Sequence, residues 1–141
     1  MRCNEIMKSV VECIGSQDSA QTAATRMRDS NVGFLPVCDD GGRVIGTITD
    51  RDIALRVVAA GQPLSTPAEA IMTKEIVTCL PEDDIAKAQQ LMGEEHKSRL
   101  VCVDDEGKIA GVISLSDIAQ YVEGSSAAKT MREVTKREVR V

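Results

Sequence analysis

The sequence predicts an α+β protein of two like units, each a strand–helix–strand–strand–helix with a small mixed sheet. Three observations carry that prediction. The chain repeats itself at a spacing of 65 residues: Gly46-Thr47-Ile48-Thr49-Asp50-Arg51-Asp52-Ile53-Ala54 returns as Gly111-Val112-Ile113-Ser114-Leu115-Ser116-Asp117-Ile118-Ala119. The register holds without a gap from Ile6-Met7/Ile71-Met72 through Val57/Val122, and such repetition means one supersecondary unit used again, each copy unable to bury its apolar face alone. Within each copy, β-rich runs bounded by Gly, Pro and Asp alternate with stripes at helical spacing. Hydrophobic content is an ordinary 43%, yet Phe34 and Tyr121 are the only aromatics, so the core is aliphatic.

Each element has a local reason. Ile6-Met7 and Ile71-Met72 read as short helical lead-ins. Residues 10–14 and 75–79 are β-rich runs, ended by Gly15-Ser16 and by Pro81. Asp18-Ser19 and Asp83-Asp84 stand where a helix N-cap belongs. Ala20, Ala23, Ala24 and Met27 then form an apolar stripe, repeated by Ile85, Ala88, Leu91 and Met92. Two strand pairs follow, 34–38 with 44–48 and 99–103 with 109–113. Asp39-Asp40-Gly41-Gly42 and Asp104-Asp105-Glu106-Gly107 supply the positive-φ positions of their turns. A second helix follows each pair, over 51–60 and 116–123. These elements divide the chain into repeats 1–61 and 62–123, with residues 61–67 as the linker, and a charged tail, 124–141. For the tail, a helix, a frayed end and a strand lent to a neighbour all remain open.

Composition excludes several classes. A net charge of −5 and a pI near 4.9 argue against nucleic-acid polymers, and the missing aromatics remove base-stacking platforms. No apolar run reaches the roughly 18 residues of a membrane span, and no secretory signal opens the chain, so a cytoplasmic location is expected. Cys3, Cys13, Cys38, Cys79 and Cys102 make an odd count without a CxxC pair. They read as free thiols and small core hydrophobes rather than a disulfide frame or a metal site. Catalysis is poorly supported: there is one histidine, His96, and no nucleophile turn or metal-spaced cluster.

Thr49-x-x-Asp52 and Ser114-x-x-Asp117 each fall where a strand passes into a helix. One reading is a cap, the hydroxyl accepting from a first-turn amide and the acid favouring the positive helix end. The other is a ligand site. The hydroxyl can donate to phosphate, and the carboxylate can accept from both hydroxyls of a ribose. One residue can do both.

Gly46 through Ile53 and Gly111 through Ile118, with Leu35-Pro36-Val37-Cys38-Asp39-Asp40 and Leu100-Val101-Cys102-Val103-Asp104-Asp105 before them, resemble the cystathionine-β-synthase (CBS) domain. The resemblance covers roughly residues 1 to 123. It implies two pseudo-symmetric CBS repeats packed sheet to sheet with helices outside, binding an adenosine-containing nucleotide in the cleft between them. By the resemblance, Asp52 and Asp117 hold ribose, while Thr49, Ser114, Arg51 and Arg99 face phosphate, Arg99 reaching the ligand of the other repeat. The adenine pocket falls to Val11, Cys13, Gly33, Leu35 and Pro36, and in the second copy to Ile76, Thr78, Ser98 and Leu100. Val101 stands where the family has Pro, and Leu115-Ser116 replaces Asp50-Arg51, so the sites are not equivalent and the Asp52 site is expected to be better formed.

The implied function is regulatory and not enzymatic: sensing of AMP, ADP or ATP, with NAD or S-adenosylmethionine as further candidates and no resident cofactor. A homodimer is expected, with an unidentified protein partner. The alternative is a ligand-free structural or partner-binding protein of the same fold.

Overall fold

The computed structural model describes residues 1–9, 12–121 and 124–135. In chain order the elements are a 3-10 turn Cys3–Glu5, β1 (Ile14–Gly15), α1 (Ala20–Ser30), β2 (Phe34–Cys38), β3 (Val44–Thr49) and α2 (Asp50–Ile53). A π turn, Ala54–Val58, continues α2. Then come α3 (Ala68–Ile71), β4 (Thr78–Cys79), α4 (Ile85–Glu95), β5 (Arg99–Val103), β6 (Ile109–Ser114), α5 (Leu115–Tyr121) and α6 (Gly124–Thr135). The strands form two three-stranded mixed sheets, β1-β2-β3 and β4-β5-β6, with a parallel first pair and an antiparallel second pair in each.

The chain folds into two compact units that are cut differently from the sequence repeats. One is continuous, Val11–Ile76; the other is discontinuous, Met1–Val10 with Val77–Val141. The lead-in segments are therefore exchanged, and backbone bonds show how. In the continuous unit, Ala68 N donates to Asp18 O (2.8 Å), Ala20 N to Thr66 O (2.8 Å) and Thr47 N to Thr73 O (3.0 Å). In the discontinuous unit the counterparts are Cys3 N to Asp83 O (2.8 Å), Ile85 N to Met1 O (2.8 Å) and Val112 N to Lys8 O (3.1 Å). Each lead-in crosses a sheet at a glycine. A Cβ on Gly46 would lie 2.6 Å from Met72 Sδ and 2.9 Å from Thr73 O; on Gly111, 2.7 Å from Met7 Sδ and 2.8 Å from Lys8 O.

The local signals act as the residue types predict. Ser19 caps α1 through Thr22 N (3.0 Å), and Asp84 caps α4 through Ala86 N (2.9 Å). The acids beside them fix the loop that enters each helix, Asp18 accepting from Gly15 N and Asp83 from Leu80 N, both at 2.8 Å. Asn31 and His96 end the two helices in the left-handed region. In the turns, Asp39 Oδ1 accepts from Gly41 N and Arg43 N, and Asp104 Oδ1 from Glu106 N and Lys108 N, while Gly42 and Gly107 take φ of +83° and +80°.

The core of each unit is aliphatic. Leu35, Val37, Ile48 and Val57 are fully enclosed in the continuous unit, and Met92, Leu100, Ile113 and Ile118 in the discontinuous one. Two differences from the sequence reading stand out, and the tail takes one of the states left open for it. The first strands are two residues long rather than five, β1 pairing with β2 at Ile14 and Gly15 and β4 with β5 at Thr78 and Cys79, while Val10 and Val11 of the first run lie outside the described residues. The second half of the 51–60 helix has π geometry. The tail carries a helix, α6, seated on α4: Val134 and Thr130 are buried, and Gln89 Nε2 donates to Ser126 Oγ (2.9 Å) and Thr130 Oγ1 (3.2 Å).

Candidate functional site

The two strand–helix junctions are near copies. At the first, Thr49 Oγ1 accepts from Asp52 N (3.1 Å) and Asp52 Oδ2 from Thr49 N (2.9 Å). At the second, Ser114 Oγ accepts from Asp117 N (3.1 Å) and Asp117 Oδ2 from Ser114 N (2.9 Å). Both are reciprocal caps that satisfy two backbone donors each. Each carboxylate commits one oxygen to its cap.

The second oxygens differ. Asp52 Oδ1 lies 3.9 Å from Arg56 Nε, one helical turn on. Arg56 is itself anchored, since its Nη1 donates to Ile71 O (3.0 Å) and Met72 O (3.2 Å). Arg56 thus joins the acid to the lead-in segment after α3, a role the sequence reading missed. Its i+4 spacing from Asp52 was the available signal. The residue 65 positions on is Tyr121, 55% exposed, so the arginine of the first junction has no counterpart at i+4 of the second. Asp117 is 9% exposed.

The remaining predicted residues divide by unit. Gly33, Leu35, Pro36, Thr49, Arg51 and Asp52 lie in the continuous unit, and Thr78, Ser98, Arg99, Leu100, Ser114 and Asp117 in the discontinuous one. Gly33 O accepts from Asp50 N (3.0 Å), and Ser98 O from Leu115 N (2.7 Å). A Cβ on Gly33 would stand 2.8 Å from Asp50 Oδ2, which is why Gly meets Asp in one copy and Ser meets Leu in the other. Arg99 is exposed on β5 opposite Ser114 in the register, and Arg51 is exposed on α2. Leu35 and Leu100 are wholly enclosed and Pro36 nearly so, which makes their side chains core and leaves their backbone for any ligand. Cys13 is half-buried beside Cys38, whose thiol hydrogen bond brings the Cys13 pKa down to about 7 against the effect of burial, and the Arg26 guanidinium donates to its carbonyl. Ile76, the last residue of the continuous unit, and Thr78 are half-buried. Val11 lies outside the described residues.

Elsewhere, a groove of about 390 Å³ lies between α4 and α6, lined by residues that include Gln90, Glu94, Lys129 and Glu133 and by none of those predicted for the site. Among the described residues, no group of three His, Cys, Asp or Glu is arranged to hold a metal ion, and no helix is long and apolar enough to cross a membrane.

Comparison with known proteins bears on these junctions. The family model of the CBS domain matches residues 3–59 and 68–124, each span ending just past one junction. The CBS domain-containing protein YhcV of Bacillus subtilis is 31% identical over 136 residues, covering 96% of both chains. The CBS domain protein PAE2072 of Pyrobaculum aerophilum, solved with AMP, is 25% identical at a TM-score of 0.79, over 94% of this chain and 99% of that one. The CBS domain pair of protein MJ0100, solved with 5′-methylthioadenosine and S-adenosyl-L-methionine, is 25% identical at a TM-score of 0.77, over 85% and 94%. The doubled junction, the doubled sheet and both matched spans have one origin: this chain belongs to the CBS domain family and carries two copies of that domain.

Proposed function

We propose that the chain is a regulatory module that binds an adenosine-containing ligand through Asp117 and Asp52 and their neighbouring hydroxyls, and performs no catalysis of its own. The observation that carries the reading is the doubled junction, in which the nearly buried Asp117 and its counterpart Asp52 are each held in place by the backbone amide of the preceding hydroxyl residue. A pre-oriented, nearly buried acceptor is what two adjacent ribose hydroxyls require, and it costs little reorganisation on binding. The relatives solved with AMP and with S-adenosyl-L-methionine support the adenosine class. Thr49, Ser114, Arg51 and Arg99 are the proposed phosphate-side groups. Gly33, Pro36, Cys13, Val11, Ile76, Thr78 and Ser98 are the proposed surround of the base, with Leu35 and Leu100 contributing backbone. AMP, ADP and ATP are the first candidates, ahead of NAD.

The same proposal carries a homodimer and a cytoplasmic setting. Leu55 and Val58 on the turn after α2 are 50% and 69% exposed, apolar surface of the kind an interface covers.

With one Tyr and no Trp, the protein absorbs weakly at 280 nm, so a co-purified adenine would dominate near 260 nm and mass spectrometry of a denatured extract would name it. On ligand-free protein, adenosine nucleotides are expected to raise the melting temperature more than guanosine or cytidine nucleotides. At a hundredfold excess over Kd the gain is about 2.7 kcal/mol. An equal response to all bases would mean nonspecific phosphate binding and refute the adenosine reading, and no response, with no ligand already bound, would favour the structural alternative.

A further inference from the structure

Three of the five cysteines meet in the core of the discontinuous unit. Cys79 on β4 and Cys102 on β5 are direct partners in the parallel register, and their sulfurs stand 3.1 Å apart. Cys3, on the 3-10 turn, packs in the same cluster. Neighbouring strands run about 4.8 Å apart, within the Cα separation that a disulfide spans. A bond of about 2.05 Å therefore needs the sulfurs to close by only about 1 Å.

We propose that Cys79 and Cys102 form a peroxide-oxidisable dithiol, on the ground of their direct pairing in the sheet and the 3.1 Å between their sulfurs.

The chemistry balances in two steps. One sulfur of the pair, as its thiolate, attacks the O–O bond of a hydroperoxide, giving a sulfenic acid and releasing the alcohol, or water from hydrogen peroxide. The second sulfur displaces the sulfenic oxygen as water and forms the Cys79–Cys102 bond. The net change is two thiols and one hydroperoxide to one disulfide, one alcohol and one water. Access runs through the 3-10 turn, a three-residue element held on its loop by Cys3 N to Asp83 O and Asn4 N to Pro81 O, with Asn4 and Glu5 exposed. Local opening of so short a turn admits a molecule as small as peroxide.

The inference stands apart from the ligand reading. The test treats the native protein with millimolar hydrogen peroxide, quenches it, and maps unreduced peptides by mass spectrometry. The expected result is loss of two of the five thiols titratable in urea, a mass decrease of two hydrogens, and a cross-linked pair holding Cys79 and Cys102. In Cys79→Ser and in Cys102→Ser the intramolecular bond should be lost, whereas in Cys3→Ser it should still form. Thiols that react only after unfolding, or a bond confined to Cys13 and Cys38 or to a second chain, would overturn the dithiol. The wild-type map decides the main question whatever the stability of the variants.

Discussion

Asp52 and Asp117 occupy equivalent positions, cap equivalent amides, and differ in the company of one oxygen. Arg56 stands 3.9 Å from Asp52, whereas Tyr121 takes its place beside Asp117. The differences at Pro36/Val101 and Arg51/Ser116 pointed to the Asp52 site as the better formed; the Arg56 contact is a reason to rank Asp117 first. Asp117→Asn is therefore expected to weaken AMP binding by one to two decades, the loss of a charge-assisted contact of about 1.5–3 kcal/mol. Asp52→Asn should cost less, because its carboxylate is already shared. Titration calorimetry on both variants reads the order, and a larger loss at Asp52 would reverse it. Arg56→Met should lower stability by about 1–2 kcal/mol in urea, mostly through the two backbone carbonyls it leaves unpaired, since its half-exposed pair with Asp52 is worth little.

At the scale of elements, the parts written by nearest neighbours were legible and the parts written by distant contacts were not. Ser19 and Asp84 cap helices, and Gly42 and Gly107 turn hairpins, through bonds spanning two to four residues, so the residue types announce them. The length of β1 is decided by β2, and the helical state of 124–135 by the face of α4, neither visible locally. The site was legible in its acids and hydroxyls because they repeat. Arg56 was not, because its role lies in the carbonyls of Ile71 and Met72, fifteen and sixteen residues away. Two predictions belong here. Gly46→Ala and Gly111→Ala each drive a methyl into a backbone carbonyl and a methionine sulfur, and should each destabilise by about 1–3 kcal/mol by urea unfolding. Val134→Ala should cost about 2 kcal/mol if α6 is part of the core, and close to zero if the tail frays.

At the scale of the molecule, the 65-residue period correctly reports one unit used twice, and its boundaries mark sequence rather than packing. Met1–Val10 belongs with Val77–Val141, and the bonds from Ala68, Thr66 and Thr73 complete Val11–Ile76. A fragment of residues 11–76 should therefore unfold cooperatively in urea, though at the margin expected for its size, whereas residues 1–61 should not. Circular dichroism of the two fragments compares them directly. Cooperative folding of 1–61 alone would show that the lead-in is dispensable.

The exchanged lead-in also imposes an order on biosynthesis. The ribosome releases Met1, Cys3, Asn4 and Lys8 before their bonding partners Ile85, Asp83, Pro81 and Val112 exist, because these come some seventy to a hundred residues later. At about 5–20 residues per second, that segment waits for several seconds while the continuous unit emerges whole and closes on itself. Residues made early are thus placed late, and any companion that shelters a nascent chain has, in this protein, an identifiable stretch to hold.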